Sequence, residues 1–66
     1  MESLGEALPK EQARAREILG YYKEIGAPGA FGAAMIEQSL RNADLAIISG
    51  DIQAMMIAYH DLKEIE

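Results

Sequence analysis

Two glycine-containing breaks divide this chain into three segments, and each segment has the spacing of an α-helix. The first break is residues 26–29 (Gly-Ala-Pro-Gly), and the second is Gly50-Asp51. Glycine ends a helix without strain, and aspartate is a favourable N-cap. Apolar residues recur three and four positions apart, and no segment alternates with the period of two that a strand requires. The sequence therefore predicts an all-α fold.

The breaks predict where each helix begins and ends. Helix one is expected from about Pro9 to Ile25, helix two from about Pro28 or Gly29 to Ser49, and helix three from Asp51 to about Ile65. Residues 1–8 are expected to form a flexible N-terminal arm, with residues 9–66 as a single helical domain. Ser3 and Glu6 match a capping box, but Pro9 disfavours helical geometry in the preceding residue, which limits any helix there to one turn.

Each helix carries one apolar stripe that predicts the core. The stripe of helix one is Ala15, Ile18, Leu19, Tyr22 and Ile25; that of helix two is Gly32, Ala33, Ile36, Leu40, Ala43 and Ile47; that of helix three is Ile52, Met55, Ala58, Tyr59, Leu62 and Ile65. The joint at residues 49–51 is tight, so helices two and three are expected to form an antiparallel hairpin. Helix one then packs across it as a three-helix bundle.

The length of the chain limits how much core it can form. A chain of 66 residues buries only about 60% of the surface that it exposes when unfolded. Small domains commonly gain stability from disulfides, a metal or a second subunit, and this sequence has no cysteine and a single histidine. Self-association, as a homodimer or higher oligomer, or binding to a partner protein is therefore the expected source of additional support.

Six large apolar side chains fall off the three stripes. They are Phe31, Met35, Leu45, Ile48, Met56 and Ile57. Single exposed apolar residues need no explanation, but six in so short a chain indicate a second buried surface. We interpret them as protein-interaction residues; the alternative is that helix two is buried all round. Tyr21 is either part of this surface or simply exposed.

The charge balance argues against two classes of partner. Six basic and eleven acidic residues give a net charge of −5, which repels both a phosphate backbone and an anionic membrane. No apolar run reaches the ~18 residues of a membrane span, and the first ten residues lack the features of a signal peptide. We therefore expect a cytoplasmic protein with no direct nucleic-acid or membrane partner.

No motif predicts catalysis, a cofactor or a metal site. His60 and Glu64 stand four apart on one helix face beside Asp61, but a metal needs three or four ligands and no second histidine completes the set. The glycine-rich stretch at residues 26–32 has neither a preceding strand nor a phosphate-binding signature. We interpret it as a turn and a close helix contact, and we expect a protein that is not an enzyme.

Part of the chain resembles a known group of proteins. Tyr22-Lys23-Glu24-Ile25-Gly26, residues 29–37, Gly50-Asp51 and Leu62-Lys63-Glu64 are similar to small helical proteins encoded by prophages and tailed phages of Proteobacteria. The resemblance spans residues 16–66, and no activity is established for such proteins. It implies an accessory protein that binds a host or phage target; some proteins of this class inhibit host defence systems.

The first hypothesis is therefore a small acidic protein–protein interaction module, dimeric, that binds and modulates an unidentified protein, in the host cytoplasm if it is phage-encoded. A second hypothesis is a binder of small anionic ligands that uses the glycine-rich turn at the start of helix two. A third is an acidic nucleic-acid mimic, although a charge of −5 spread over three helices is thin for one.

Overall fold

The computed structural model describes residues 2–66, which form three helices joined by short turns. α1 spans Leu4–Glu24, a single 3₁₀ turn spans Ala27–Gly29, α2 spans Ala30–Ser49 and α3 spans Ile52–Lys63. No strand is present among these residues. Each helix packs against the other two. The predicted all-α class and the arrangement as a three-helix bundle are confirmed.

α1 begins five residues earlier than predicted and continues through Pro9. We expected the helix to start at Pro9 and any earlier turn to end near Leu8; both expectations are wrong, because one continuous helix contains both residues. Pro9 lies in the second turn, so its missing N–H leaves only the Gly5 carbonyl, close to the helix start, without its usual donor. Leu8 is completely buried, and burying a leucine contributes about 1.5–3 kcal/mol, which offsets much of the cost of the proline. Met1, the first residue of the predicted arm 1–8, lies outside the described residues.

The start of α1 uses the predicted capping pair in a different geometry. Ser3 is the N-cap, and its hydroxyl donates to the Glu6 carboxylate at 3.2 Å. The backbone amides of Glu6 and Ala7 donate to the Ser3 carbonyl at 3.0 and 2.8 Å. The two side chains therefore contact each other, whereas a capping box would pair each with a backbone amide.

Both predicted breaks between helices are confirmed. Gly26 and Gly50 have φ angles of 74° and 70°, which a residue with a side chain rarely adopts. Asp51 is the N-cap of α3, and its carboxylate accepts from the amides of Gln53 at 3.0 Å and Ala54 at 3.4 Å. These local interactions end α2 and start α3 within two residues.

Small side chains make up most of the core. The buried apolar residues are Leu8, Ala15, Ala33, Ile36, Leu40, Ala43, Ala46, Ala58 and Leu62. Five of these nine are alanine, which lets the helix axes approach closely because little side chain separates them. Six larger side chains pack half-buried against this core: Ile18, Leu19, Tyr22, Met55, Tyr59 and Ile65.

Three members of the predicted stripes are not in the core. Ile25, Ile47 and Ile52 are 61%, 40% and 61% exposed, so their placement in the core was wrong. All three lie at or within two residues of a helix end, where the neighbouring helices no longer overlap enough to cover a full stripe. Conversely, Leu8, Gln12 and Ala46 are buried but were absent from the predicted stripes.

Polar contacts of α1 define how it lies against α2. The buried Gln12 amide donates to the Asp44 carboxylate at 2.7 Å, and the Lys23 ammonium lies 3.6 Å from the Glu37 carboxylate. As α1 advances from residue 12 to 23, its partner in α2 moves back from 44 to 37. The two helices therefore pair in opposite chain directions.

The carbonyl end of α3 is held by Arg14 of α1. The Arg14 guanidinium donates to the carbonyls of Leu62 at 2.6 Å and Ile65 at 2.8 Å. It also reaches the Lys63 carbonyl at 3.3 Å and pairs with Glu11 at 2.8 Å. The last carbonyls of a helix have no intrahelical partner, so one side chain satisfies several of them and joins α3 to α1.

We expect Leu8→Ala to lower the free energy of unfolding by about 2–5 kcal/mol, because it leaves a cavity where a leucine is fully buried. Chemical denaturation followed by circular dichroism measures this. Glu17→Ala, at an exposed position of the same helix, is the control and should change the stability by less than about 0.5 kcal/mol. Equal stability of the two variants would contradict the burial of the N-terminal turns.

Arg14→Ala should destabilise the protein by about 1–3 kcal/mol, because several carbonyls at the end of α3 lose a charged donor. At about 4–8 °C per kcal/mol for a domain of this size, the loss is measurable by thermal unfolding. Arg16→Ala removes an exposed pair at 3.8 Å and should have little effect. If both variants melt together, the contact with α3 contributes no more than a surface ion pair.

Candidate interaction surface

The six predicted interaction residues are all exposed. Their exposure ranges from 51% for Met56 to 81% for Ile48. The alternative in which helix two is buried all round does not hold within one chain, because Phe31 on α2 is 76% exposed. Contact of these six residues with a partner stays a prediction.

Four further large apolar residues share this exposure. They are Tyr21, Ile25, Ile47 and Ile52. Ile25, Ile47 and Ile52 belonged to the predicted stripes, so periodicity alone assigned them wrongly to the core. Their position next to the glycine breaks is the signal that would have found them, because a stripe is least covered where a helix ends.

The exposed apolar residues concentrate in two segments that contain almost no charge. Residues 25–36 carry none, and residues 45–57 carry only Asp51, whose carboxylate caps α3. Of the ten large exposed apolar residues, six lie in the second segment and three in the first. Exposed apolar side chains concentrated in segments with almost no charge are typical of a surface that another molecule covers.

The outward face of α2 brings three of the predicted residues together. Phe31, Met35 and Leu45 lie within an arc of about 80° at ~100° per residue. Gln38 and Asn42 occupy the middle of the same arc, and the Gln38 amide donates to the Asn42 side-chain oxygen at 3.0 Å. The face is therefore apolar at both ends with an amide pair at its centre.

Met56 belongs to a different part of the surface. It lies in an open groove of about 480 Å³ between the start of α1 and the side of α3. The groove is lined by Glu2, Leu4, Ala7, Ile52, Met56, Tyr59 and His60. Ile57 lies about 100° further round α3 than Met56, so the structure does not bring these two neighbours onto one face.

The polar residues of α3 do not form a metal site. The described residues contain no group of three or more histidine, cysteine, aspartate or glutamate side chains able to hold a metal ion. The His60 ring instead meets the Tyr59 ring edge-on at 6.2 Å, and the Lys63 ammonium lies 5.5 Å from the centre of the Tyr59 ring. Tyr59 and His60, which line the groove, therefore contact each other through their rings, and the Lys63 ammonium lies beside Tyr59.

The glycine-rich turn is a close contact between α1 and α2. A Cβ atom on Gly29 would lie 2.2 Å from the Tyr22 carbonyl oxygen, and one on Gly32 would lie 2.4 Å from the Tyr22 ring. The Gly29 amide donates to the Gly26 carbonyl and the Ala30 amide to Ala27. These amides are engaged inside the turn, and the small side chains are explained by packing.

Gly29→Ala should therefore lower the stability by about 1–3 kcal/mol, since its methyl group meets backbone that has to move. Gly20→Ala, in the interior of α1, is the matched comparison, because no atom lies within 4 Å of the place that its methyl group would occupy. That change should raise the stability by about 0.5–1 kcal/mol. Thermal unfolding of both variants checks the difference; the same sign for both would contradict the close contact at Gly29.

No helix of the described residues combines the length and the apolarity that crossing a bilayer requires.

No protein-family model, no curated protein and no solved structure matches this chain. The interpretation of its function therefore depends on the geometry of its own surface.

Proposed function

We propose that this protein is a small, non-catalytic protein–protein interaction module that acts by covering or scaffolding its target. The observation that carries this proposal is that ten large apolar side chains are at least 40% exposed in a chain of 66 residues, nine of them in two segments that together contain a single charged residue. Leaving so many apolar groups in contact with water is unfavourable. A partner that covers them recovers this free energy.

We further propose that α2 and α3 form an antiparallel hairpin that presents this surface. Supporting this, α1 pairs with α2 in opposite directions through Gln12 and Asp44. Along α3 it runs in the same direction, since Arg14 meets Leu62 and Tyr22 donates to the Glu66 carbonyl at 3.1 Å. An arrangement that satisfies both relations sets α2 against α3 in opposite directions.

The proposed target is a host or phage protein in the bacterial cytoplasm, and the resemblance to phage-encoded proteins favours this setting. A second copy of the chain is a further proposed partner. Electrostatics favour an apolar or basic target, because the net charge is −5. Four basic side chains are already paired: Lys10 with Glu2, Arg14 with Glu11, Arg16 with Asp44 and Lys23 with Glu37.

The two alternative functions are separable by simple titrations. An anion bound at the glycine-rich turn would stabilise the fold by about 2.7 kcal/mol at 100 times its dissociation constant, so melting with phosphate or nucleotides tests it. An acidic nucleic-acid mimic would compete with DNA for a basic protein in a strongly salt-dependent manner. The amides of Gly29 and Ala30 are engaged inside the turn, which argues against the anion site. A net charge of −5 spread over three helices argues against the mimic.

Leu45→Glu combined with Ile57→Glu should abolish target binding without unfolding the monomer, because both side chains are 64% exposed. The measurement is affinity capture from nuclease-treated lysate of the bacterial host, read by mass spectrometry. One protein retained in stoichiometric amount by the native chain and lost with the variant would support the proposal.

The control variant is Ala13→Glu with Gly20→Glu, which adds the same two charges on exposed positions of α1. It should retain the target as the native chain does. A target captured equally by the native chain and by both double variants would refute the apolar surface as the binding site.

A further inference from the structure

We infer that the outward face of α2 is self-complementary, and that its partner is a second copy of this chain docked through an antiparallel α2–α2 contact. This inference rests on the proposed interaction function and names one partner of that same surface. It begins from six positions whose spacings alternate between four and three residues: Phe31, Met35, Gln38, Asn42, Leu45 and Ser49. All six are exposed. We call them the α2 seam.

The spacing of the α2 seam is that of a coiled coil. Alternation of four and three residues is the heptad pattern that keeps one face of a helix against a neighbouring helix. Four of the five buried residues of α2, Ala33, Ile36, Leu40 and Ala43, lie about 120° or more round the helix from Phe31 and pack with α1 and α3; Ala46, the fifth, lies about 60° from it. The helix therefore has two packing faces, of which the bundle covers one.

The α2 seam is also nearly palindromic: its two inner pairs match in chemical type, and only the outer pair differs. Its residues pair about a point at position 40: Phe31 with Ser49, Met35 with Leu45, and Gln38 with Asn42. Two-fold symmetry in a dimer brings each residue opposite its counterpart in the other copy. A two-fold axis through the middle of α2 would therefore set apolar against apolar, amide against amide and the largest side chain against a small one.

The chemistry of each layer suits that pairing. Met35 would pack on Leu45 of the partner subunit, and Phe31 would lie over Ser49 of the partner subunit. At the centre, Gln38 donates to Asn42 at 3.0 Å within one chain. In the inferred dimer, Gln38 of one copy would lie opposite Asn42 of the partner subunit, within reach of the same kind of hydrogen bond. A buried amide layer in an otherwise apolar seam fixes the register of paired helices, since any shift leaves the amides without partners.

The charges of α2 leave this face open to a second acidic chain. Glu37 and Asp44 are turned toward α1, where they pair with Lys23 and Arg16. Arg41 is the charged residue that flanks the seam, and its guanidinium donates to the Gln38 side-chain oxygen at 3.0 Å. Neither carboxylate of α2 itself therefore lies in the seam through which two copies, each with a net charge of −5, would meet.

The surface area of the chain is consistent with an uncovered face. Its accessible surface is 4566 Å², whereas a monomeric protein of 7.2 kDa is expected to have about 4,100 Å². The excess of roughly 450 Å² belongs to the whole surface, the groove included. A standard interface buries ~800 Å² on each partner, and the seam offers the length of a 20-residue helix, ~30 Å, for such a contact.

The first test measures the mass of the protein in solution by sedimentation equilibrium. The native chain should be dimeric, and Leu45→Glu should raise the dimer dissociation constant roughly 100-fold or more, because it sets a carboxylate in the seam. The matched control is Ile52→Glu, which alters a groove residue of nearly equal exposure, 61% against 64%, and should leave the dimer intact. A monomeric native chain, or equal effects of both variants, would overturn the inference.

The second test measures the register with single cysteines, which are unambiguous because the chain has none of its own. Met35→Cys and Leu45→Cys chains, mixed and oxidised, should form the mixed disulfide. Neither should form a disulfide with itself, because the same residue in two antiparallel copies would lie about 15 Å apart along the axis. Self-linked 35–35 or 45–45 products in equal yield would refute the antiparallel register.

These outcomes are separate from those of the target-capture experiment. A native monomer that still captures a target would refute the α2–α2 contact and leave the interaction function standing. A dimer with the mixed disulfide that captures no other protein would support the α2–α2 contact and refute binding of a separate target.

Discussion

Close packing of three helices through alanine is the constraint on which the rest of this structure depends. Ala15 of α1, Ala43 and Ala46 of α2 and Ala58 of α3 are at most 5% exposed. Side chains this small bring the backbones together and leave little interior volume for larger ones. Large apolar residues such as Leu8, Leu40 and Leu62 are still buried, and others such as Leu19 and Tyr22 pack half-buried against them, while ten large apolar side chains are exposed.

Polar contacts from α1 complement this core. Gln12 binds Asp44 of α2, and Arg14 binds the carbonyl end of α3, so the helix predicted to pack across the other two joins them by specific hydrogen bonds. The glycines at 29 and 32 allow Tyr22 to approach α2. These contacts lie between α1 and the other helices, and Phe31, Met35 and Leu45 on the outward face of α2 remain 59–76% exposed.

The two parts of the exposed surface suit different roles. The α2 seam is long, regular and nearly palindromic, which fits a symmetric partner. The groove at the start of α1 is short and irregular, and it combines apolar side chains with Glu2 and His60 at its edge. No residue of the α2 seam lines the groove, so the inferred α2–α2 contact and the groove use different residues.

Local signals in the sequence determined much of this protein: the all-α class, both glycine breaks, the Asp51 cap and the six off-stripe residues that prove to be exposed. Each depends on neighbours within one helix turn, where spacing and backbone preference act directly. Only the tertiary structure decided that α1 begins at Leu4, that Ile25, Ile47 and Ile52 face outward, and that Met56 lines a groove away from the α2 face. These features depend on where one helix stops covering another, and that is set by contacts between residues far apart in the chain.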